Sequence, residues 1–304
     1  VYAPLRFVAP IEAGEEPRAV VVGARLQHGD ATREVRARWV LLATGAVPQA
    51  LLAAGMSERH TPSGVALRGY VKNDAMVGRI RALEIVWHRA LTPGYGWIFP
   101  CRDGVFNIGV GIADSHDQHR GGARDDGGLK KRELNLRQVL DDFQRVYAPA
   151  RELMAGGTLL GAWKGAPLRC TLEGARYTRP GLLVVGEAAG STYSFTGEGI
   201  GKALETGIHA AEAILRAGTQ ADADKDVDAI ARADYEARLH TLKPRFALYQ
   251  RANVVNRHPW LADLLIWRAN RSARLVRRMS GVLDETSNPG NLVSLKGMVR
   301  LFTE

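Results

Sequence analysis

The residues best suited to chemistry lie in one segment, where an acid and several glycines follow a short apolar run. Leu182–Val185 predicts a buried strand, and Gly186 and Glu187 follow it directly. The Glu187 carboxylate can accept hydrogen bonds from sugar or ribityl hydroxyls, while the later glycines let a flat ring approach the backbone. A helix predicted from about Glu198 directs partial positive charge at such a ring. The arrangement suits a reduced flavin; the alternative is a tight turn whose glycines serve packing only.

The elements before this segment predict a small meander that leads into a buried strand. Strands are predicted at 2–11, 18–27 and 34–40, and the last runs into Val40–Ala43. That run is apolar on both faces and stops at Thr44 and Gly45, as expected of a parallel strand whose carboxyl end opens onto a ligand crevice.

The middle of the chain predicts an antiparallel sheet, followed by a helix and a further strand. The predicted strands are 66–72, 81–91, 95–100 and 104–112, with turns at Pro93-Gly94 and Asp103-Gly104. The helix has apolar residues from Leu136 to Val146, and the further strand covers Thr158–Arg169.

The last third of the chain predicts helices. The first has Ile200, Leu204, Ile208, Ala211 and Leu215 along one face, and Gly218 is its predicted cap. Helical character continues to the end, with predicted breaks at Lys243-Pro244, His258-Pro259 and Asn288-Pro289.

Composition restricts the class of protein. The chain has 304 residues, 46% of them hydrophobic and 24% charged, which excludes disordered and collagen-like chains. No run approaches the roughly eighteen apolar residues that a spanning helix needs. Cys101 and Cys170 form no disulfide framework, and His116 and His119 lack a partner pattern, so we expect no metal and a cytoplasmic setting.

The formal charge of +9 is concentrated at the end of the chain. Residues 240–304 contain eleven Lys and Arg against four Asp and Glu, a net of +7. Within 262–279, Leu265, Val276 and Met279 lie on one side of a predicted helix and arginines on the other. Such a helix either rests on an anionic bilayer or packs on the body with its arginines in water.

Three segments, in order, resemble the geranylgeranyl reductase family, part of the flavoprotein group that includes the aromatic hydroxylases. LLATGA at 41–46 is similar to the strand and turn beneath the FAD, and YGWIFP at 95–100 is similar to the reductases' YxWxFP motif. VVGEAAG at 184–190 and TGEGIGKALETG at 196–207 resemble the ribityl and isoalloxazine segment, and FNIGVGI at 106–112 has its usual place after the aromatic motif.

The resemblance implies a cofactor, and with it a set of residues. The implied cofactor is FAD, with NAD(P)H or ferredoxin as external electron donor, and the implied cofactor residues are Thr44, Gly45, Gly186, Glu187, Ala188, Gly197, Gly199 and Ile200. This chain departs from the family where Glu187 replaces the usual Asp, where Thr44 replaces a frequent Asp, and where Pro93 stands one residue later than the family's proline.

The resemblance also implies a reaction. Family members saturate isolated carbon-carbon double bonds of a polyprenyl chain, so we expect an isoprenoid or prenylated lipid substrate. Tyr95, Trp97 and Phe99 alternate along a strand and share one side, which suits an apolar chain laid against the flavin; the alternative is an aromatic stripe in the core. Pro100 and Gly109 are expected to shape the pocket. No proton donor is predicted, although Cys101, Tyr193 and Tyr70 are conceivable.

One family feature is absent from the sequence: no GxGxxG follows a strand and precedes a helix. The expected fold is therefore α/β, an incomplete Rossmann-like FAD-binding domain with an antiparallel substrate sheet and a helical C-terminal region. We expect an N-terminally truncated fragment that is inactive alone. The expected domain boundaries are 1–48 and 178–218 for FAD binding, 49–177 for substrate, and 219–304 for the helical region.

Two other functions remain open at this stage. A flavin monooxygenase or halogenase shares the scaffold, but YGWIFP argues against it. A non-catalytic basic module that binds membrane or nucleic acid explains the charged tail and leaves the glycine-rich segment unexplained. We expect no nucleic acid partner and a cytoplasmic protein, with the membrane surface as one of the two places open to its basic C-terminal helices. The sequence does not give the oligomeric state.

Overall fold

The predicted α/β class is confirmed by a computed structural model, which describes residues 4–15, 19–113, 135–220 and 226–283. The described chain divides into two compact units. Of the described residues, unit 1 contains 4–15, 19–62, 168–193, 197–220 and 226–247, and unit 2 contains 63–113, 135–167, 194–196 and 248–283.

Within the described residues, strands dominate the first half of the chain and helices the last third. The strands are β1 (Arg6–Ala13), β2 (Val20–His28), β3 (Ala31–Arg36), β4 (Val40–Leu42), β5 (Gly64–Lys72), β6 (Glu84–Val86), β7 (Gly94–Pro100), β8 (Val105–Ala113), β9 (Thr158–Leu159), β10 (Lys164–Leu168), β11 (Thr178–Arg179) and β12 (Leu182–Val184). The helices are α1 (Gln49–Ala53), α2 (Leu136–Val146), α3 (Ala148–Ala155), α4 (Ile200–Gln220), α5 (Val227–Ala252), α6 (Val254–Arg257), α7 (Pro259–Ala269) and α8 (Ala273–Leu283).

The strands of unit 1 form two small sheets. β1, β2 and β3 make the predicted antiparallel meander. β4 pairs in parallel with β12, and β11 pairs with β12 on the other side. Because β4 and β12 are parallel neighbours, the loops after their carboxyl ends lie at the same edge of the sheet. This edge is where the two glycine-bearing turns meet.

Helix α5 holds β12 in place through its polar groups as well as its packing. The Tyr235 hydroxyl donates to the Val184 carbonyl at 2.7 Å, and the Asp228 carboxylate accepts from the Gly181 backbone N–H at 2.7 Å. Burial raises the pKa of Tyr235, so this hydroxyl stays a donor.

Helix α4 turns an unexpected face outward. The predicted apolar stripe is exposed, with Ile200 at 80%, Leu204 at 65% and Leu215 at 69% relative accessibility. The opposite face is made of small residues, and it is buried at Ala210 and Ala213. Gly218, the predicted cap, lies inside the helix, which continues to Gln220.

Unit 2 is built on an antiparallel sheet of order β10-β5-β8-β7-β6, with β9 added beside β5. The hairpin turn between β7 and β8 has positive φ at Asp103 and Gly104, as predicted. One sheet face, which includes Ile98 and Ile108, is fully buried in a core shared with Phe143 of α2. Each such side chain contributes roughly 1.5–3 kcal/mol on burial.

Three predicted strands are shorter in the structure or divided. The third strand of the meander ends at Arg36, and β4 begins separately at Val40. Of 81–91 only Glu84–Val86 is a strand, and a 3₁₀ turn covers Arg89–Leu91. The strand predicted over Thr158–Arg169 divides into β9 and β10, separated by a turn at Gly161, whose φ is +78°.

The helical tail also differs from the prediction. Pro244 lies inside the continuous helix α5, so the break predicted there is wrong. Pro259 begins α7 and confirms the break at His258-Pro259. The single helix predicted over 262–279 is two helices, because residues 270–272 separate α7 from α8. The Asn288-Pro289 break and the 114–132 loop, with His116 and His119, lie outside the described residues.

Candidate functional site

Two turns at the edge of the β4–β12 sheet carry the first group of predicted cofactor residues. Thr44 and Gly45 follow β4, and Gly186, Glu187 and Ala188 follow β12 in a 3₁₀ turn. The Val185 N–H donates to the Leu42 carbonyl at 3.0 Å, which joins the two strand ends. The parallel pairing therefore brings these five residues to one edge.

The start of α4 lies against the same edge. A Cβ on Gly186 would stand 3.3 Å from the Cβ of Ala203, and the Gly186 N–H donates to the Thr206 hydroxyl at 2.8 Å. Helix α4 thus begins beside the turn that carries Glu187. The predicted residues Gly197, Gly199 and Ile200 lie at or just before its first turn.

The first turn of α4 is partly capped by its own chain. The Glu198 carboxylate accepts from the Gly201 N–H at 2.8 Å, and the Gly197 N–H donates to the Tyr193 carbonyl at 2.9 Å. Ile200 is 80% exposed at the same turn. The helix N-terminus carries partial positive charge that favours anionic density nearby.

Glu187 is the acid of this edge, and its surroundings alter its pKa. Burial raises the pKa of the Glu187 carboxyl, while hydrogen bonds from the Thr192 hydroxyl and the Arg169 backbone N–H act in the opposite direction. The Thr192 hydroxyl lies 3.0 Å from Glu187 Oε1. The carboxyl is therefore held in one orientation while remaining a hydrogen-bond acceptor.

The edge has the features that a flavin requires. A Cβ on Gly45 would meet no atom within 4 Å, so the backbone there borders open space, and its φ of +70° favours glycine. The hydroxyl of Ser191 is buried and lacks a hydrogen-bond partner within the described residues. An open strip of backbone, an acceptor carboxylate and an unused hydroxyl fit a flat ring with a polyhydroxylated chain.

The predicted aromatic residues form one row on β7 in unit 2. Tyr95, Trp97 and Phe99 are all half-buried on one face, opposite the core residue Ile98. Neighbouring ring centroids are 6.1 Å apart for Tyr95 and Trp97 and 6.2 Å apart for Trp97 and Phe99. Pro100 ends the strand beside them. The row is therefore not part of the core beneath the sheet.

Glycines on β8 make room for this row. Trp97 is opposite Gly109 in the register, and a Cβ on Gly109 would stand 2.4 Å from Trp97 Cζ2. The indole N–H of Trp97 donates to Asn107 Oδ1 at 3.1 Å. The motif residues on the two strands thus fit each other, with bare backbone beneath the indole.

Two aromatic residues that the sequence analysis missed extend the row. Trp87 stacks on Phe195 with centroids 6.1 Å apart, and it contacts Tyr95 at 5.9 Å. The Tyr95 hydroxyl donates to the Thr196 carbonyl at 3.0 Å. The sequence does single out Phe195, because it is an aromatic residue between two groups of glycines. Trp87 lies in the segment 81–91, which the sequence predicts as one strand, so nothing distinguishes it there.

Trp87 is fixed by a buried amide. Its indole N–H donates to Asn256 Oδ1 at 2.7 Å, and Asn256 Nδ2 donates to Asn253 Oδ1 at 2.5 Å. Asn256 and Asn253 are 0% and 2% exposed. The orientation of Trp87 is therefore set by helix α6 and the residue before it.

The three conceivable proton donors have different surroundings. Cys101 is exposed, and Tyr70 has the Arg68 guanidinium 5.0 Å above its ring. Tyr193 belongs to unit 1, where it is buried against Phe246 at 4.6 Å between ring centroids. The proton donor stays unassigned.

The basic helices α7 and α8 combine charge with exposed apolar rings. Trp260 is 61% exposed and Trp267 50%, and Ile266 beside them is 46% exposed. Arg271 lies over the Trp267 ring at 4.5 Å. Leu265 and Met279, by contrast, pack on a small core at Ala269 and Leu275.

The described residues contain no cluster of three or more His, Cys, Asp or Glu side chains that could hold a metal ion. None of the helices in them combines the length and the apolar character that crossing a bilayer requires.

Comparison with known sequences gives several digeranylgeranylglycerophospholipid reductases and a menaquinone reductase as relatives, each over part of its length. No family model matches the chain. It is 30% identical over 206 residues to a digeranylgeranylglycerophospholipid reductase of Methanosarcina mazei, an alignment that covers 66% of this chain and 45% of the relative. The chain spans about half the length of the curated relatives it matches.

Comparison with solved structures supports the fold. A geranylgeranyl bacteriochlorophyll reductase-like protein of Thermoplasma acidophilum is similar with a TM-score of 0.61 and 19% identity, covering 99% of this chain and 66% of that one. A flavin-dependent brominase is similar with a TM-score of 0.58 and 16% identity, covering 83% and 60% of the two chains. These similarities show the fold that the chain shares with a reductase-like protein and with a flavin-dependent brominase.

Proposed function

We propose a function from the premise that this chain is related to the flavin-dependent superfamily that includes the geranylgeranyl reductases. The chain carries the substrate surface and part of the cofactor site of an FAD-dependent reductase that saturates carbon-carbon double bonds of a polyprenyl lipid or prenylated molecule. The observation that carries the proposal is the aromatic row of unit 2, with Tyr95, Trp97 and Phe99 on one face of β7.

The cofactor residues lie in unit 1. Gly45, Gly186 and Gly199 would lie along the ring system, and Glu187 would accept hydrogen bonds from the ribityl hydroxyls. Thr44, Ala188, Gly197 and Ile200 complete this group. FAD, when bound and reduced, supplies the hydride, and its own electrons come from NAD(P)H or ferredoxin. The N-terminus of α4 would stabilise negative charge on the bound ring.

The substrate residues lie in unit 2. An unsaturated chain that lies along Tyr95, Trp97 and Phe99 leaves water and contacts the ring faces. Each methylene buried in this way stabilises the complex by about 0.8 kcal/mol. Trp87 and Phe195 lengthen the apolar surface, and Pro100 closes one end of the strand. A flat aromatic surface also excludes water from the reacting double bond.

Product mass tests this proposal. The chain, alone and fused to an upstream nucleotide-binding half, is given reduced flavin and a geranylgeranyl lipid. Gain of hydrogen pairs without oxygen supports the reductase, and we expect it from the fusion and not from the chain alone. Gain of oxygen or halogen would move the protein to the monooxygenases or halogenases. Flavin bound without any product would refute the assigned substrate.

A Trp97→Ala variant of the fusion gives the matched test of the aromatic row. We expect KM for the lipid to rise while flavin binding, followed by flavin fluorescence, is unchanged. The control is Trp163→Ala, because Trp163, just before β10, packs against the core of the same unit at Gly69 of β5. If both variants changed KM equally, the row would have no special part in substrate binding.

We also propose that α7 and α8 contact an anionic membrane surface. Trp260 and Trp267 are the exposed rings that membrane interfaces favour, and Arg271 lies over the Trp267 ring at 4.5 Å. Cosedimentation with anionic and zwitterionic vesicles tests this. We expect binding to anionic vesicles, weakened by salt and by Trp260→Ser. Equal binding to anionic and zwitterionic vesicles would refute this proposal, and so would equal binding of wild type and Trp260→Ser.

A further inference from the structure

We propose that unit 1 also contains an anion site for a phosphoryl group, separate from the cofactor residues above. The site is a cavity of about 350 Å³ between the segment after α1 and the turn before β11. Its lining includes Met56, Ser57, Glu58, Arg59, Gly174 and Arg176. The volume lies within the range of about 300–1,000 Å³ that small-molecule sites occupy.

A buried guanidinium lies beneath this cavity. Arg169 is 2% exposed, and its Nη2 donates to the Ser57 hydroxyl at 3.1 Å and to the Gly174 carbonyl. Both acceptors are uncharged, and Arg169 Nε is buried without a hydrogen-bond partner among the described residues. Burial, and next the charge of Arg59, lower the pKa of Arg169. A buried cation in such surroundings is stabilised by an anion.

Glycine allows two guanidinia to approach the same point. Gly174 has a φ of +75°, and a Cβ there would stand 3.0 Å from Arg59 Nη1 and 3.5 Å from Arg169 Nη2. Arg176 adds a third, exposed guanidinium at the rim, and its backbone N–H donates to the Met56 carbonyl at 2.7 Å. The guanidinium groups of Arg59 and Arg169 therefore lie around the backbone of Gly174, where no side chain separates them.

The balance of charge at the cavity is positive. Glu58 is the acid of the lining, and Glu173 precedes Gly174, while Arg179 nearby is engaged by Glu12 at 2.7 Å. Three arginines thus face two carboxylates. Guanidinium forks match phosphate oxygens in pairs, and a dianion offsets two adjacent cations better than a carboxylate does. The chemistry recognised is a phosphoryl group, from a nucleotide diphosphate or a phospholipid head.

The site adjoins the cofactor edge through one residue. The backbone N–H of Arg169 donates to the Glu187 carboxylate while its side chain lies beneath the cavity. An anion that fixes Arg169 therefore also steadies the acceptor of the cofactor edge. The binding itself requires neither flavin nor catalysis, so it can be tested independently of the proposed function.

The test is calorimetric titration of the chain with pyrophosphate, ADP and glycerol 1-phosphate at constant ionic strength. We expect pyrophosphate to bind, and Arg59→Gln and Arg176→Gln each to weaken it about five- to tenfold. Glu58→Gln should tighten it, because a repelling carboxylate is removed. Arg36→Gln is the control, since it removes the same charge from an exposed position on β3.

If ADP binds more tightly than glycerol 1-phosphate, the phosphoryl group recognised is that of a nucleotide. If glycerol 1-phosphate binds more tightly, it is that of a lipid head. Equal binding of all three supports a site for the phosphoryl group alone. The proposal is overturned if pyrophosphate does not bind at millimolar concentration, or if Arg36→Gln weakens it as much as Arg176→Gln does.

Discussion

Replacing Trp87 by Phe tests whether the buried amide of Asn256 fixes Trp87, the residue that extends the aromatic row beyond Tyr95. The indole N–H of Trp87 donates to Asn256 Oδ1 at 2.7 Å, and Asn256 is 0% exposed. The substitution keeps an aromatic ring and deletes the donor. The Asn256 oxygen then loses this partner in a place that water does not reach.

The expected loss follows from that burial. A buried acceptor without its partner costs about 1–3 kcal/mol. Trp97→Phe is the matched control, because its N–H donates at 3.1 Å to Asn107, which is half-buried. Water can replace that donor, so the control should cost at least about 1 kcal/mol less. Both substitutions remove the same ring atoms, and their difference isolates the hydrogen bond.

Urea unfolding monitored by circular dichroism gives both free energies of unfolding. A double variant, Trp87→Phe with Asn256→Ala, then measures the coupling, for which contacting residues give about 0.5–3 kcal/mol. We expect the second substitution to cost less once the first is present. Equal costs for Trp87→Phe and Trp97→Phe, or strictly additive costs in the double variant, would refute the role assigned to Asn256.

Three further predictions concern other parts of the molecule. Leu204→Gln should change the free energy of unfolding by no more than about 0.5 kcal/mol in a urea titration, because Leu204 is 65% exposed; a larger loss would mean that the face is covered. Burial raises the pKa of Glu187, so ionised Glu187 destabilises the fold and stability is lost as pH rises from its unfolded pKa through the folded one. The midpoint temperature of thermal unfolding should therefore be the same for Glu187→Gln and wild type at acid pH, and higher for Glu187→Gln as the pH rises. A constant difference between the two proteins at every pH would contradict this. Gly109→Ala should cost about 1–3 kcal/mol and alter the near-ultraviolet circular dichroism of Trp97, because the added Cβ would stand 2.4 Å from the indole; Gly165→Ala, with its nearest atom at 3.9 Å, should do neither.

Much of the fold could be predicted because its signals are local. Alternation placed Tyr95, Trp97 and Phe99 on one face, and the turn at Asp103-Gly104 placed β7 beside β8. Glycines after apolar runs marked the ends of β4 and β12. These signals depend on residues a few positions apart, which is the range over which sequence patterns act.

Other features depended on distant parts of the chain. Pro244 costs a helix about 3 kcal/mol, yet α5 continues through it with Leu239, Phe246 and Tyr249 buried on either side. Packing on both sides of the proline outweighs the local preference. Similarly, α4 buries Ala210 and Ala213 and exposes Leu204, although the apolar period predicts the opposite for Leu204.

The sequence by itself determined the α/β class, the strand ends with their glycines, the single-sided aromatic row and the resemblance to flavin-dependent reductases. Only the tertiary structure decided that Trp87 and Phe195 join the row, that Asn256 holds Trp87, and that Arg59 and Arg169 meet at Gly174. The physical reason is distance along the chain. Trp87 and Asn256 are 169 positions apart, and no local pattern encodes a contact between them.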